Sequence, residues 1–274
     1  MLKRWKKKIK FFMEQIIIKT PREIEIMRQG GKILAAVLFE LKNSVRPGIS
    51  TGELNELAEK LIKKHGGEPS FKNYQPRSED KPFPTALCAS VNEEVVHAPA
   101  LPSRVIKEGD IICLDLGVKY PAGQGGLYTD AAITVPVGRA SSEAEKIIKV
   151  TETALEVGIA EVRPGNFIAD IARAIQKYVE GQGFSVVRDL VGHGVGHKVH
   201  EPPRVPNFFD QGSKKIELKE GVTICIEPMV CAGSGDVKTL DDGWTVVAAD
   251  GKLSAHFEHT IAVTKGGYEV LTKL

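Results

Sequence analysis

Lys107-Glu108-Gly109-Asp110-Ile111-Ile112-Cys113-Leu114-Asp115 and Lys219-Glu220-Gly221-Val222-Thr223-Ile224-Cys225-Ile226-Glu227 are near copies of each other, 112 positions apart, and both end on a carboxylate. A looser echo pairs Arg46-Pro47-Gly48 with Arg163-Pro164-Gly165, 117 positions apart, each triplet followed by a helical pattern. The chain therefore reads as two related halves folded against each other. An apolar strand that finishes on an acid must bring it to the sheet surface or into a polar pocket, because a lone buried carboxylate is too costly unless paired or metal-bound. Two such strands related by a pseudo-two-fold aim both acids at one cleft.

Outward from these strands, each half shows a pair of helices. Thr20-Pro21-Arg22-Glu23 is a capping box with proline at the first helical position, opening an amphipathic stretch of about 20 residues through Leu41 that Gly30-Gly31 is expected to loosen. A second helix starts near Ser50-Thr51, with Leu54, Leu57, Ala58, Leu61 and Ile62 on one face, and stops at Gly66-Gly67. The second half predicts helices over Ser142–Val162 and from Ile168 to Val179. Strands are expected over Thr85–His97, Asp110–Tyr120, Tyr128–Val137, Thr223–Ala232, Thr245–Ala249 and Ser254–Thr264. Paired helices and adjacent strand runs predict an α+β fold with helices covering one face of an antiparallel sheet. A P-loop and a dinucleotide-binding glycine motif are both absent.

With 274 residues, 37 Lys and Arg and 35 Asp and Glu, the body is nearly neutral and carries no mark of a nucleic-acid binder. Six of the first ten residues are basic, so residues 1–19 read as a basic extension and 20–274 as a single domain. The extension either is solvated or meets an acidic partner such as ribosomal RNA. No stretch approaches the roughly 20 apolar residues of a membrane span. Four cysteines, none in a CxxC pair, read as reduced core residues of a cytoplasmic protein.

Five residues have the types and settings to bind metal: Asp115 and Glu227 at the ends of the echoed strands, Asp130 opening the next strand, His193 in Gly192-His193-Gly194-Val195-Gly196, and Glu258 in Phe257-Glu258-His259-Thr260. Four carboxylates and one imidazole suit Mn, Fe, Co or Zn, and their surplus negative charge calls for two cations. If two carboxylates bridge, the ions sit about 3.5–4 Å apart, the architecture of a hydrolase. Alone, Asp115 reads as a turn acid and Glu227, before Pro228, as a turn former. The joint pattern selects metal binding.

This constellation resembles the methionine aminopeptidases from about Pro21 to the C-terminus, most specifically in Val191–Gly196 with His200-Glu201-Pro202, in Ile226-Glu227-Pro228-Met229 and in Phe257–Thr260. The resemblance implies a pita-bread fold, two pseudo-symmetric halves with helices on a curved antiparallel sheet. It also implies a dinuclear centre in which Asp115 chelates one ion, His193 and Glu227 the other, and Asp130 and Glu258 bridge. His97 and His200 would contact substrate near the scissile peptide. Phe83, Cys88, His97, Val199 and Trp244 would form the pocket for a methionine side chain. The 27 positions between His200 and Glu227 leave no room for the type II insert, so the likeness is to type I, with Pro121–Gly126 as an extended turn. His197, His256 and His259 flank the motifs and are expected to take surface or supporting roles.

The implied activity is removal of the initiator methionine from nascent polypeptides with a small second residue, by a cytoplasmic monomer that needs no membrane. A proline-specific aminopeptidase or dipeptidase of the same fold is the rival enzyme, and a non-catalytic binding protein of that fold the rival of another class.

Overall fold

A computed structural model describes residues 15–78 and 81–274. Most of the basic extension, Met1 to Glu14, lies outside them. Four α-helices are present among the described residues: α1 (Pro21–Ser44), α2 (Thr51–Lys64), α3 (Ser142–Ala160) and α4 (Ile168–Gly181). The strands are β1 (Glu68–Pro69), β2 (Leu87–Val91), β3 (Glu94–Val96), β4 (Ile111–Tyr120), β5 (Leu127–Pro136), β6 (Ser185–Val186), β7 (Gly192–Gly194), β8 (Glu201–Val205), β9 (Thr223–Ile226), β10 (Met229–Cys231), β11 (Val237–Thr239), β12 (Val246–Ala248), β13 (Ser254–His256), β14 (Glu258–Thr264) and β15 (Gly267–Val270). The main sheet runs β1-β4-β5-β14-β9-β7-β8, with β2 on β4 and β15 on β14, and every pairing is antiparallel. Two three-stranded sheets, β13-β10-β6 and β11-β12-β3, complete the fold.

The echo in the sequence is an echo in the backbone. Gly48 N–H donates to Ile106 O and Gly165 N–H to Leu218 O; Ile106 N–H donates to Ile49 O and Leu218 N–H to Asn166 O. Thr51 N–H to Arg104 O is matched by Ile168 N–H to Ile216 O, and Gly109 N–H to Val137 O by Gly221 N–H to Val263 O. Gly109 and Gly221, with φ of 89° and 85°, make the same left-handed turn into β4 and β9, a conformation glycine adopts at little cost. Two cores follow the halves. Leu34, Leu38, Leu41, Leu54 and Ile62 of α1 and α2 pack on Ile112, Leu114 and Leu116 of β4, and Ile147, Leu155, Ile171 and Ile175 of α3 and α4 pack on Ile224 and Ile226 of β9.

α1 begins at its capping box, Thr20 Oγ1 accepting from Glu23 N, as expected. It is not loosened at Gly30-Gly31: the helix is continuous, and both glycines serve close approach, Gly30 to the end of β4 and Gly31 to the turn after β15. A Cβ on Gly31 would lie 2.1 Å from Leu271 O, and one on Gly30 3.1 Å from Tyr120 Cβ. Three expected strands are broken. Thr85–His97 turns at Asn92 and Glu93 into β2 and β3, with Asn92 at φ 56°. Thr223–Ala232 breaks at Glu227-Pro228, where proline lacks the N–H a central strand needs. Ser254–Thr264 breaks at Phe257, which sends β13 to a small sheet and β14 to the main one.

Before α1, Ile16 packs against the second core, and Lys19 N–H donates to Gly221 O. The buried Lys19 ammonium pairs with buried Glu201, whose other oxygen accepts from the N–H groups of His197 and Lys198. Among the described residues no helix is long and apolar enough to cross a membrane.

Candidate metal centre

Sheet register alone aligns three of the acids. Asp115 of β4 and Glu258 of β14 are both partners of Ala132 on β5, one from each side. Partners directly opposite project to the same face, and so does Asp130, two residues before Ala132. Glu227 follows Ile226, the partner of His259, so it emerges beside Glu258 where β9 ends. His193 lies on β7 next to Gly194, the partner of Ile224. Donor atoms of Asp130, His193, Cys225 and Glu258 all lie within 4.8 Å of one another.

Asp115, Asp130 and Glu258 are buried, and Asp115 Oδ1, Asp130 Oδ1 and Glu258 Oε1 have no hydrogen-bond partner. Burial pushes the Asp115 carboxyl up to about 7. Burial and then mutual repulsion raise Asp130, Glu227 and Glu258 well above the usual carboxylate range. Such a cluster is relieved either by protons, which the raised values favour, or by cations between the oxygens. The donors, hard oxygens plus one imidazole, fit divalent metal ions. His193 is oriented for this: its Nδ1 lies 2.9 Å from Gly194 O, which leaves Nε2 facing Glu227 Oε1 at 3.5 Å. Desolvation holds its imidazole down to about 4, so it presents a neutral ring.

Beside the cluster opens a cavity of ≈ 460 Å³ lined by all five of these residues. His97 and His200 line it too. His97 sits at φ 60°, an uncommon backbone for a side chain, and burial holds its ring down to about 4. His200 Nδ1 lies 2.7 Å from Tyr74 Oη, and its ring is 4.3 Å from that of His193. Phe83, Cys88 and Trp244 form part of the apolar wall, Trp244 meeting Phe83 edge to face at 5.2 Å. The Trp244 turn is fixed by Asp242, which accepts from the N–H groups of Trp244 and Thr245.

Val199 is buried but does not line the cavity. Phe71, Tyr74, Leu190, Arg204 and Met229, not foreseen from the sequence, do line it. Phe71 and Tyr74 belong to an irregular segment after β1, where no periodicity flags them. His197 pairs with Glu23 at the surface, and His259 Nδ1 meets Thr272 Oγ1 at 2.9 Å. The thiols are buried and free; Cys88 lies beside Asp115 and Cys225 beside Glu258, while Cys113 faces His256. A larger open groove of ≈ 620 Å³ between α3 and α4 gathers no such set, its Asp170 being paired with Arg173.

Residues 25–265 match the model of metallopeptidase family M24. The chain is 50% identical to methionine aminopeptidase 1 of Bacillus subtilis over 94% of its length and 100% of that protein. The crystal structure of methionine aminopeptidase from Thermotoga maritima superposes with a TM-score of 0.88 at 43% identity, covering 95% of this chain and 100% of that one. The prolidase of Pyrococcus horikoshii, at 22% identity and a TM-score of 0.73 over 94% of this chain and 64% of its own, shares the fold.

Proposed function

Because this chain belongs to metallopeptidase family M24, we propose that its buried acid cluster is the metal centre of an aminopeptidase that removes the initiator methionine from polypeptides with a small second residue. The observation that carries the reading is the convergence of Asp115, Asp130, His193, Glu227 and Glu258 on one cavity, with three carboxylate oxygens left unpartnered. Two divalent ions, of Mn, Fe, Co or Zn, balance the four carboxylates. Asp115 would hold one, His193 and Glu227 the other, and Asp130 and Glu258 would serve both. Cys225 stays outside this set as a buried thiol whose Sγ lies 3.7 Å from Thr260 Oγ1.

Bound there, divalent ions supply Lewis acidity for the peptide carbonyl and lower the pKa of a coordinated water. The chain's own residues do the rest. Glu227 takes the proton of the attacking water and passes it to the leaving amine. His97 and His200 hydrogen-bond the peptide and the oxyanion that develops on it. Tyr74, hydrogen-bonded to His200 Nδ1, fixes the direction of that ring. Phe83, Cys88 and Trp244 bury the methionine side chain, an apolar, sulfur-tolerant wall for a thioether.

The chain from Ile16, which packs on the second core, to Leu274 acts as one catalytic domain of a cytoplasmic monomer, and the basic extension before it is suited to an acidic partner such as ribosomal RNA. Metal-stripped protein, reloaded with each ion, is the test. Cleavage of Met-Ala-Ser without cleavage of Xaa-Pro peptides supports the reading, and the reverse preference replaces it with a prolidase.

A further inference from the structure

His256 closes β13 one residue before the break at Phe257 and is buried, with 1% of its surface exposed. It does not line the cavity. Its backbone is clamped by Thr134, whose hydroxyl accepts from His256 N–H at 3.0 Å and donates to His256 O at 2.7 Å. On one side of the ring, Nδ1 lies 3.6 Å from Cys113 Sγ. On the other, Nε2 has no hydrogen-bond partner and lies 3.8 Å from Glu227 Oε2.

We propose that His256 is a positioning residue for Glu227: its Nε2–H donates to Oε2 in the loaded site and so aims Oε1 at the ion it shares with His193. Three observations carry this. A buried ring nitrogen without a partner costs roughly 1–3 kcal/mol, and Glu227 is the acceptor within reach. In the loaded site Glu227 is a carboxylate and would repel an Nε2 lone pair, so there Nε2 carries the proton and Nδ1 is left as an acceptor facing the Cys113 thiol, which also has His256 O at 3.7 Å. The two oxygens of Glu227 are moreover divided between two imidazoles, Oε1 toward His193 at 3.5 Å and Oε2 toward His256 at 3.8 Å. The last gap exceeds a hydrogen bond, so the proposed contact requires Glu227 to turn toward Nε2.

Cys113 and Cys225 are equivalent positions of the two echoed strands. The thiol of the first half thus props the imidazole that steers the glutamate of the second.

The inference rests on Glu227 being a working ligand, so the experiment includes a control for that reading. Mn(II) binding to stripped protein is measured calorimetrically for His256→Leu, His256→Gln and Glu227→Gln, together with kcat and KM on Met-Ala-Ser. His256→Leu is expected to weaken Mn(II) binding and lower kcat by roughly tenfold to a hundredfold, the range for a partner that orients a ligand, with KM changed less than about threefold. His256→Gln, which restores an N–H donor, is expected to recover most of both. Nitrogen NMR on wild-type protein loaded with diamagnetic Zn(II) should find the Nε2–H tautomer, and Cys113→Ala should weaken that preference. The tautomer measurement stands even if the leucine variant does not fold.

Wild-type behaviour of His256→Leu overturns the role. Equal loss in the leucine and glutamine variants overturns it too, since His256 would then be a ligand or a packing residue, and so does an Nδ1–H tautomer in the wild type. If Glu227→Gln binds Mn(II) normally, the reading of the centre fails instead.

Discussion

The two halves of the molecule share a turn, an apolar strand and a terminal acid, yet they deliver the acid differently. In the first half β4 runs on for five residues beyond Asp115 and pairs with β5 along all ten of its positions. Asp115 and Asp130 therefore sit on a rigid, unbroken hairpin. In the second half β9 stops at Ile226 and β14 starts at Glu258, so both glutamates lie where a strand breaks. Duplicated strands gave the scaffold, and the breaks in one copy bring its longer side chains onto the hairpin of the other. The shared part of the design makes the fold, and the unshared part makes the site.

Removing the ligand that serves both ions should have the largest effect. Asp130→Asn is expected to lower turnover on Met-Ala-Ser by about a thousandfold or more while metal content drops below two ions per chain. Turnover and metal analysis on one preparation check this, and full activity with two ions bound would remove Asp130 from the centre.

Pro228→Ala probes the break itself. With an N–H restored, β9 can extend past Glu227 and carry its carboxylate off line. We expect kcat to fall roughly tenfold to a hundredfold, the cost of misorienting a ligand, with a melting temperature within a few degrees of wild type. Unchanged kcat would mean that the break does not depend on proline.

In stripped protein the cluster has no cations, and its pH dependence follows. The folded-state values of Asp115, Asp130, Glu227 and Glu258 are all raised above their unfolded ones. Folded protein then holds more protons than unfolded, so stability is full below the ordinary carboxylate range and is lost as pH rises toward about 7, where Asp115 titrates. Thermal melts from pH 4 to 8 should show that loss, and added Mn(II) should reverse it. A stripped protein that grows more stable over this range would contradict the placement of four uncompensated acids.

Smaller still is the difference between the two matched glycines. Gly109→Ala meets nothing closer than Arg139 O at 3.9 Å and costs only the left-handed backbone, about 1–2 kcal/mol. Gly221→Ala would also strike Ile18 Cγ2 at 2.7 Å and Lys19 O at 2.8 Å, because the segment before α1 lies across the second half only. Denaturant melts should rank Gly221→Ala as the more damaging. Equal losses would mean that Ile18 and Lys19 yield freely.

Much of this was legible in the chain. The echoed strands and their glycines predicted the paired halves, because a repeated turn chemistry forces a repeated turn. The five cluster residues were named from type and setting, and all five line one cavity. Strand breaks were less legible, since the apolar runs through Ile226 and Phe257 continue across them while the sheets change. Gly30-Gly31 read as a weak point in α1 because only the fold reveals the Leu271 carbonyl beside it. Val199 was expected in the cavity wall and Tyr74 was not. Wall residues are chosen by loop paths that no periodicity encodes. His256 was expected only in a surface or supporting role, and its orphaned nitrogen appears once β13 is in place.

Anomalous diffraction from crystals of stripped protein soaked in Mn(II) tests the central claim most directly. Two manganese peaks are expected about 3.5–4 Å apart, one within coordinating distance of Asp115, the other of His193 and Glu227, with Asp130 and Glu258 reaching both. A single peak that Asp130 and Glu258 do not share, a peak bound to Cys225, or active crystals with no peak at the cluster would contradict it.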